Sequence, residues 1–225
     1  MNNRVYKQFF YVIFTIFIST LFLSGCAHQM QKVSVDEYSG FLGDYSKLTP
    51  SSAGKGMRWI SEDIKQYSKV TIDPVVLYPL QQPGGAERII LLNRIKSYLG
   101  DGIVKAIADK NIEIVNQPGE GVARIRPAIT GISSETEGLK AYQFIPVALL
   151  FQGAKAAAGK RDVAVRVFLE AEVVDSTNGK VLAQVVRKGT GQQMNAEEPM
   201  FDDIKPVLDN WIDEGATNIA ALLAK

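Results

Sequence analysis

Hydrophobic and polar side chains alternate most clearly between Asp162 and Asp175. Alternation with a period of two predicts a β-strand with one face on the core and the other in water. The apolar face holds Val163, Val165, Val167, Leu169, Ala171 and Val173, and the polar face holds Arg166, Glu170 and Glu172. We therefore expect a half-buried strand in an antiparallel sheet.

A hairpin follows this strand. Asn178-Gly179 is the strongest short hairpin signal in the chain, and residues 181–188 form the predicted returning strand. A two-residue turn would place Glu170 opposite Arg187 on the polar face, whereas a bulged turn would break that register.

Two other segments repeat apolar residues every three or four positions, as one face of an α-helix does. The first helix ends near Asn111, and the second begins at an N-cap on Asp202 or Asp203 with Pro206 in its first turn. The two apolar stripes are Leu92, Ile95, Leu99, Ile103, Ala106 and Ile107, then Ile204, Leu208, Trp211, Ile212, Ile219, Leu222 and Leu223.

Three more strands complete the pattern. They span residues 69–78, 112–115 and 122–132, and Pro74 and Pro127 interrupt the first and the last of them. The order β–α–β–β–β–β–α predicts an α+β fold in which two helices cover one face of a mostly antiparallel sheet.

The N-terminus has a different pattern. Arg4 and Lys7 precede fifteen residues, 9–23, that are apolar except for two threonines and one serine. This is the length of a signal-peptide core, and it falls short of the roughly 20 apolar residues of a membrane-spanning helix.

Leu23-Ser24-Gly25-Cys26 resembles the lipobox of bacterial lipoproteins, in which the cysteine sulfur receives a diacylglyceryl group before cleavage. The resemblance implies a signal peptide at 1–25 and a mature chain anchored by fatty acyl groups such as palmitate. Because Ala27 rather than Asp follows Cys26, it also implies the outer membrane of a Gram-negative bacterium, at the periplasmic face. The alternative is a retained hydrophobic anchor with an incidental buried cysteine.

The mature chain reads as one domain after a tether. Removing 25 of 225 residues leaves 200, which is enough for a single domain with a sizeable core. Residues 26–40 are mostly polar without a sustained period and predict a flexible lipidated tether, and residues 41–225 form the α+β periplasmic domain. Phe41 and Tyr45 are expected to dock the start of this domain onto its body.

Composition and charge exclude several classes of protein. With 46% hydrophobic and 22% charged residues, the chain is neither disordered nor polytopic. The mature part carries 23 basic residues (25 minus two) against 24 acidic ones, a net charge of −1 that does not favour nucleic acid. Cys26 is the only cysteine, so its lipidation leaves no thiol for a disulfide, a metal or a nucleophile.

The sequence offers little chemistry for catalysis, and we expect no cofactor and no metal. His28, the only histidine, lies on the tether, where no rigid pocket can hold it for a catalytic relay. The stretch 153–161 departs from a phosphate-binding loop because five residues separate its glycines and Arg161 follows the lysine.

One enzymatic alternative uses carboxylates. Glu170 and Glu172 lie two positions apart on the same strand face, so with Asp175 they could serve an envelope hydrolase. Arg166 and Arg187 nearby would keep both glutamates ionised, which favours a solvated ion-pair face instead.

The segment 142–159 is unusually apolar for a connection between two strands. One interpretation is that Phe144, Leu149, Leu150 and Phe151 dock on an envelope partner or enter the membrane interface. The other is that they fold back as another piece of core.

Three stretches, 41–48, 67–75 and 173–182, resemble a family of bacterial lipoproteins catalogued as domain of unknown function 3313. The likeness covers nearly all of the mature chain and implies lipidation and a single envelope domain, and it is silent on activity. Because the sequence shows a strong anchor, one surplus apolar segment and no nucleophile–base set, we expect a membrane-anchored, non-catalytic interaction module, with its oligomeric state open. The alternatives are a carboxylate-dependent hydrolase and a protein that binds a small apolar ligand between sheet and helices.

Overall fold

The fold is built on one sheet with two long helices. The computed structural model describes residues 33, 35–51, 56–78, 86–134, 163–194 and 201–223. Among these residues the helices are α1 (Ala86–Asp109) and α2 (Phe201–Leu222), with 3-10 turns at Val35–Glu37 and Glu62–Gln66. The strands are β1 (Thr49–Pro50), β2 (Met57–Ile60), β3 (Lys69–Ile72), β4 (Val76–Leu77), β5 (Glu113–Ile114), β6 (Val122–Ser134), β7 (Val163–Asp175) and β8 (Val181–Met194).

The strands are ordered β1-β2-β8-β7-β6-β3-β5, and β4 also pairs with β6. All pairs are antiparallel except β3–β5, β3–β6 and β4–β6. The predicted α+β class with a mostly antiparallel sheet and two helices is therefore confirmed.

The two predicted interruptions coincide in the sheet. Pro74 separates β3 from β4, which pair with the two halves of β6 on either side of Pro127. Pro127 has no amide hydrogen to donate, and it lies opposite this break in the neighbouring strand. Strand β6 therefore continues through its proline.

Both helices pack on the same face of the sheet, which we call the inner face. Ile95 and Leu99 of α1 meet Leu208 of α2 in one buried cluster with Ile129 and Leu169 of the sheet. The cluster is closed by Trp211, which is 7% exposed. These helical residues are the ones whose spacing predicts the two apolar stripes.

The β7–β8 hairpin differs from the two-residue turn. Glu170 pairs with Val186, whereas Arg187 pairs with Leu169, and the register shifts between Val173 and Val174. The prediction that Glu170 faces Arg187 on the polar side is wrong, because the strands leave a longer turn at the pair Val174–Val181 and the shift beside it leaves Glu170 one residue out of the register of a two-residue turn. Arg187 consequently lies on the inner face.

The opposite, outer face is covered by an N-terminal arm, residues 35–48. Val33, two positions before the arm, is only 4% exposed, and the Lys188 ammonium pairs with the Glu37 carboxylate at 2.5 Å. Within the predicted tether, Glu37 and Ser39 contact the sheet through Lys188 and Glu170, whereas Val35 is 75% exposed. Most of the remaining tether lies outside the described residues.

Candidate functional site

A cavity of about 400 Å³ lies between the inner face of the sheet and the two helices. One wall is formed by Leu99, Ile103 and Ile107 of α1, and another by α2 from Trp211 to Leu222. The floor is the inner face of strands β6, β7 and β8, and Met57 and Arg58 of β2 line the cavity at the edge of the sheet.

The cavity exists because its floor and one wall carry small side chains. Pro127, Ala171 and Val185 form one cross-strand row of the inner face, and all three line the space. On α2, a Cβ atom added at Gly215 would meet nothing within 4 Å. No large side chain therefore projects from these four positions to fill the gap.

Two glycines fix the walls close to one another on either side of this gap. A side chain at Gly102 of α1 would collide with Ile212 of α2, and one at Gly189 of β8 would collide with Val207 and Trp211. Helix α2 is thus held tightly against α1 and β8 at these contacts. The cavity lies farther along α2, beside Gly215.

The lining is largely apolar with a few polar groups. Arg187 forms an ion pair with Glu214, and their side chains are 13% and 25% exposed. Arg58 and Asp213 also line the space. An apolar cavity with a small number of placed polar groups is the usual form of a small-molecule binding site.

The outer face carries a second polar cluster, centred on Glu170. This carboxylate is 0% exposed, and its oxygens accept hydrogen bonds from the Ser39 amide at 2.8 Å and the Tyr45 hydroxyl at 2.6 Å. Burial, followed by the bond to Glu170, raises the pKa of Tyr45 to about 12. We call these three groups the arm latch, because they join the arm to strand β7.

The prediction that one face of β7 is exposed to water is therefore wrong. Glu170 and Glu172 project to the outer side as the alternation predicts, but the arm covers that side, and Glu172 is only 6% exposed. Phe41 and Tyr45 pack in the cluster that the arm forms with Val186, as their aromatic character led us to expect.

The carboxylate pair does not form an open acid–base site in the described part of the chain. Glu170 is engaged by the arm, and Glu172 pairs with Arg126. Burial raises the pKa of Glu172, while the positive charge of Arg126 opposes the rise. An enzyme that used both groups would first have to displace the arm.

Asp175 has a local structural role. It accepts hydrogen bonds from the backbone and hydroxyl of Thr177, from the Asn178 amide and from the Tyr67 hydroxyl. The bonds from Thr177 and then Tyr67 hold the pKa of Asp175 well below its usual range. This carboxylate stabilises the hairpin turn at the end of β7.

The predicted sites at Cys26 and at Phe144, Leu149, Leu150 and Phe151 fall outside the described residues. His28 and the stretch 153–161, which the sequence argues against as sites, lie outside them as well. Within the residues that are described, no three His, Cys, Asp or Glu side chains come together in a way that could hold a metal ion. Neither described helix is both long and apolar enough to cross a membrane.

The cavity and the arm latch are the features that the sequence predicts least well. The sequence suggests a ligand between sheet and helices only as an alternative, and it does not indicate which numbered residues would line the site. Gly215 inside the second apolar stripe is the one local signal, since glycine is unfavourable within a helix and needs another reason to be there.

Comparison with known proteins identifies the family. The chain matches the family model "Protein of unknown function (DUF3313)" over residues 37–214, and it belongs to that family. The resemblance noted in the sequence is thus confirmed.

A relative from Escherichia coli strain K12, "Uncharacterized lipoprotein YdcL", is 36% identical over 197 residues, which cover 84% of this chain and 87% of the relative. The protein of that name in Escherichia coli O157:H7 shows the same identity and coverage. The chain is accordingly a membrane-anchored lipoprotein of the cell envelope, with a molecular role that these relatives leave open.

Solved structures show more distant likeness. A PelC dodecamer from Paraburkholderia phytofirmans has a TM-score of 0.39 at 9% identity and covers 75% of this chain and 96% of its own. A minor lipoprotein from Acinetobacter baumannii has a TM-score of 0.35 at 11% identity, covering 69% of this chain and 92% of its own. TM-scores below 0.5 carry no argument about ligand or assembly.

Proposed function

We propose that this protein is an outer-membrane lipoprotein, held at the periplasmic face by acyl groups on Cys26, whose domain binds a small apolar ligand. The observation that carries the proposal is the cavity of about 400 Å³ between the inner face and the helices. Binding sites for small molecules have volumes of about 300–1,000 Å³.

The chemistry of the lining supports an apolar ligand. Ile103 and Ile107 of α1 and Ala171 and Val173 of β7 all line the cavity, and burial of apolar surface against such side chains favours an apolar ligand. A ligand there gains the contacts that the walls cannot make with each other. The Arg187–Glu214 pair supplies a polar group beside this apolar space.

Blocking the cavity tests this function. In Gly215→Leu the new side chain enters space that is open in the native fold, so it should occupy the cavity without breaking a contact. We expect an environment-sensitive apolar dye, 1-N-phenylnaphthylamine, to bind the native protein and to bind Gly215→Leu at least about tenfold more weakly, a difference of about 1.4 kcal/mol.

The matched control is Asn210→Leu, an exposed position on the same helix that does not line the cavity. It should bind the dye as the native protein does. Equal dye binding by the native protein and Gly215→Leu would contradict the proposal.

The apolar segment with Phe144, Leu149, Leu150 and Phe151 remains our proposal for contact with a partner or the membrane interface. Alanine at these four positions should remove a crosslinked envelope protein if the segment docks on one. An unchanged set of crosslinked partners in a folded variant would reject that contact.

A further inference from the structure

The arm brings aromatic side chains together on the outer face, at the side where the anchored end of the chain enters the domain. We infer that this surface rests on the phospholipid bilayer that holds the lipid on Cys26. We call the surface the arm face and define it by Tyr38, Phe41, Tyr45, Trp59 and Tyr78. The inference depends on the lipidation proposed above and is independent of the ligand in the cavity.

The tether is too short for the domain to turn its opposite face to the membrane. Seven positions separate Cys26 from Val33, and Val33 is buried in the cluster formed by the arm. Seven extended residues span at most about 24 Å. A domain of about 200 residues is roughly 40 Å across, so a tether this short cannot pass around it.

The helices lie on the opposite face of the sheet from the arm. If the anchor enters the domain on the outer face, the helices are held away from the membrane. Among the faces of this domain, the arm face is the one that the tether brings to the bilayer surface.

The arm face is rich in aromatic side chains that contact one another. Tyr38 stacks on Tyr45 with ring centres 4.3 Å apart, and Phe41 meets Tyr78 edge to face at 5.6 Å. All five defining side chains are partly exposed rather than fully buried. Trp59 and Tyr78 combine an apolar ring with a polar tip, and such side chains are enriched where a membrane meets water.

Cations accompany these rings. The Lys47 ammonium lies 4.6 Å from the centre of the Trp59 ring, and the Arg126 guanidinium lies 6.0 Å from that of Phe41. Arg126 is already paired with Glu172, whereas the exposed Lys47 can reach a lipid phosphate while its aliphatic stem covers apolar surface. Aromatic residues and arginine also occur at protein interfaces, but the short tether favours the bilayer.

Two cysteine variants of the full-length lipoprotein test the orientation. Because Cys26 is the only native cysteine and its sulfur is consumed by lipid, a new thiol takes a fluorophore selectively. Ser46→Cys labels the exposed part of the arm, and Ser97→Cys labels an exposed position on α1. Both replace serine by cysteine at exposed sites, so neither should disturb the fold.

Each labelled protein is reconstituted in vesicles of phosphatidylethanolamine and phosphatidylglycerol that carry a nitroxide on the lipid headgroup. We expect quenching at position 46 to be at least about twofold stronger than at position 97. Equal quenching at the two positions, or stronger quenching at 97, would overturn the inference. These vesicles contain no other protein, so the contact they report is with lipid.

A longer tether separates the chemistry of the face from the length of the chain. Twenty glycine and serine residues inserted after Ala27 would let the domain turn freely. Stronger quenching at position 46 should persist in this variant if the arm face itself binds lipid. Loss of the difference there would overturn the assignment of the contact to these aromatic side chains.

Discussion

Glu170 joins the N-terminal arm to the sheet through hydrogen bonds that replace its contact with water. A buried carboxylate is costly unless its oxygens are bonded, and bonds to a charged acceptor are the stronger ones. Here the Ser39 amide and the Tyr45 hydroxyl provide them. One side chain of β7 therefore helps to hold a segment more than a hundred residues away, beside the Lys188–Glu37 ion pair and the buried cluster of the arm.

We predict that Glu170→Ala lowers the free energy of unfolding by about 2–4 kcal/mol. The change removes the acceptor of two buried donors and leaves a gap under the arm. Urea unfolding measures the effect. Glu113→Ala is the control, because Glu113 forms a surface ion pair with Lys69 and is 57% exposed, and it should change stability by less than about 0.5 kcal/mol. Equal effects of the two variants would show that the latch does not stabilise the fold.

The hydrogen bonds to Asp175 predict that the stability of the fold depends on pH. Its folded pKa lies below the ordinary value, so the carboxylate contributes stability above the unfolded pKa of about 4. That contribution is lost as the pH falls through the unfolded and then the folded pKa. We predict that stability falls less between pH 5 and pH 2 in Asp175→Asn than in the native protein.

Urea unfolding at several pH values checks this slope. Asp109→Asn serves as the matched control, since Asp109 pairs with Lys105 at an exposed position on α1. It should leave the decline as steep as in the native chain. A decline in Asp175→Asn that is as steep as the native one would count against the role given to the turn.

At the scale of elements, two glycines should respond to alanine in opposite ways. Gly189→Ala would push α2 from β8, because the new methyl group collides with Val207 and Trp211. Overpacking of this kind costs about 1–3 kcal/mol. Gly215→Ala meets open space and should stabilise α2 by up to about 1 kcal/mol, since alanine favours a helix.

Thermal unfolding of both variants tests the close approach of α2 to the sheet. The unfolding temperature of the native protein should lie between those of the two variants. If both replacements shifted the unfolding temperature in the same direction, the packing described around these two glycines would be wrong.

The elements themselves were largely predictable, whereas their pairing was less so. The spacing of Ile95, Leu99 and Leu208 predicts helices because periodicity is a local property. The register of β7 and β8 depends on how the turn is closed. Asp175 bonds to Thr177 and Asn178, and this longer, side-chain-closed turn with its bulge replaces the two-residue turn that Asn178-Gly179 suggests.

Whether a strand face is wet depends on segments far away in the chain. Alternation places Glu170 and Glu172 on one side correctly, but it contains no information about what covers that side. The arm that buries them comes from residues 35–48, and the bond between Tyr45 and Glu170 spans 125 positions. The cavity is beyond local pattern for the same reason, because it results from the joint spacing of two helices and a sheet.

At the scale of the whole molecule, the anchor should decide where the protein is found. We predict that radiolabelled palmitate marks the native protein and that Cys26→Ser loses the label. The variant should also keep residues 1–25 and migrate as a longer precursor, because lipid addition precedes cleavage of the signal peptide. A Ser24→Ala variant, altered two positions from the sulfur, is the control and should stay labelled.

An unlabelled native protein that still sediments with membranes would contradict the lipid anchor. That result would favour a retained hydrophobic segment at residues 9–23 instead.

Docking of the arm also shortens the chain between the lipid anchor and the domain. With the arm docked, the chain from Cys26 to Val33 can span at most about 24 Å. If the arm were released as far as Leu48, the chain from Cys26 would have 22 residues and could span about 75 Å. The contacts that hold the arm, which are Glu170, the Lys188–Glu37 ion pair and the buried cluster with Val186, therefore also set how far across the envelope the body can reach.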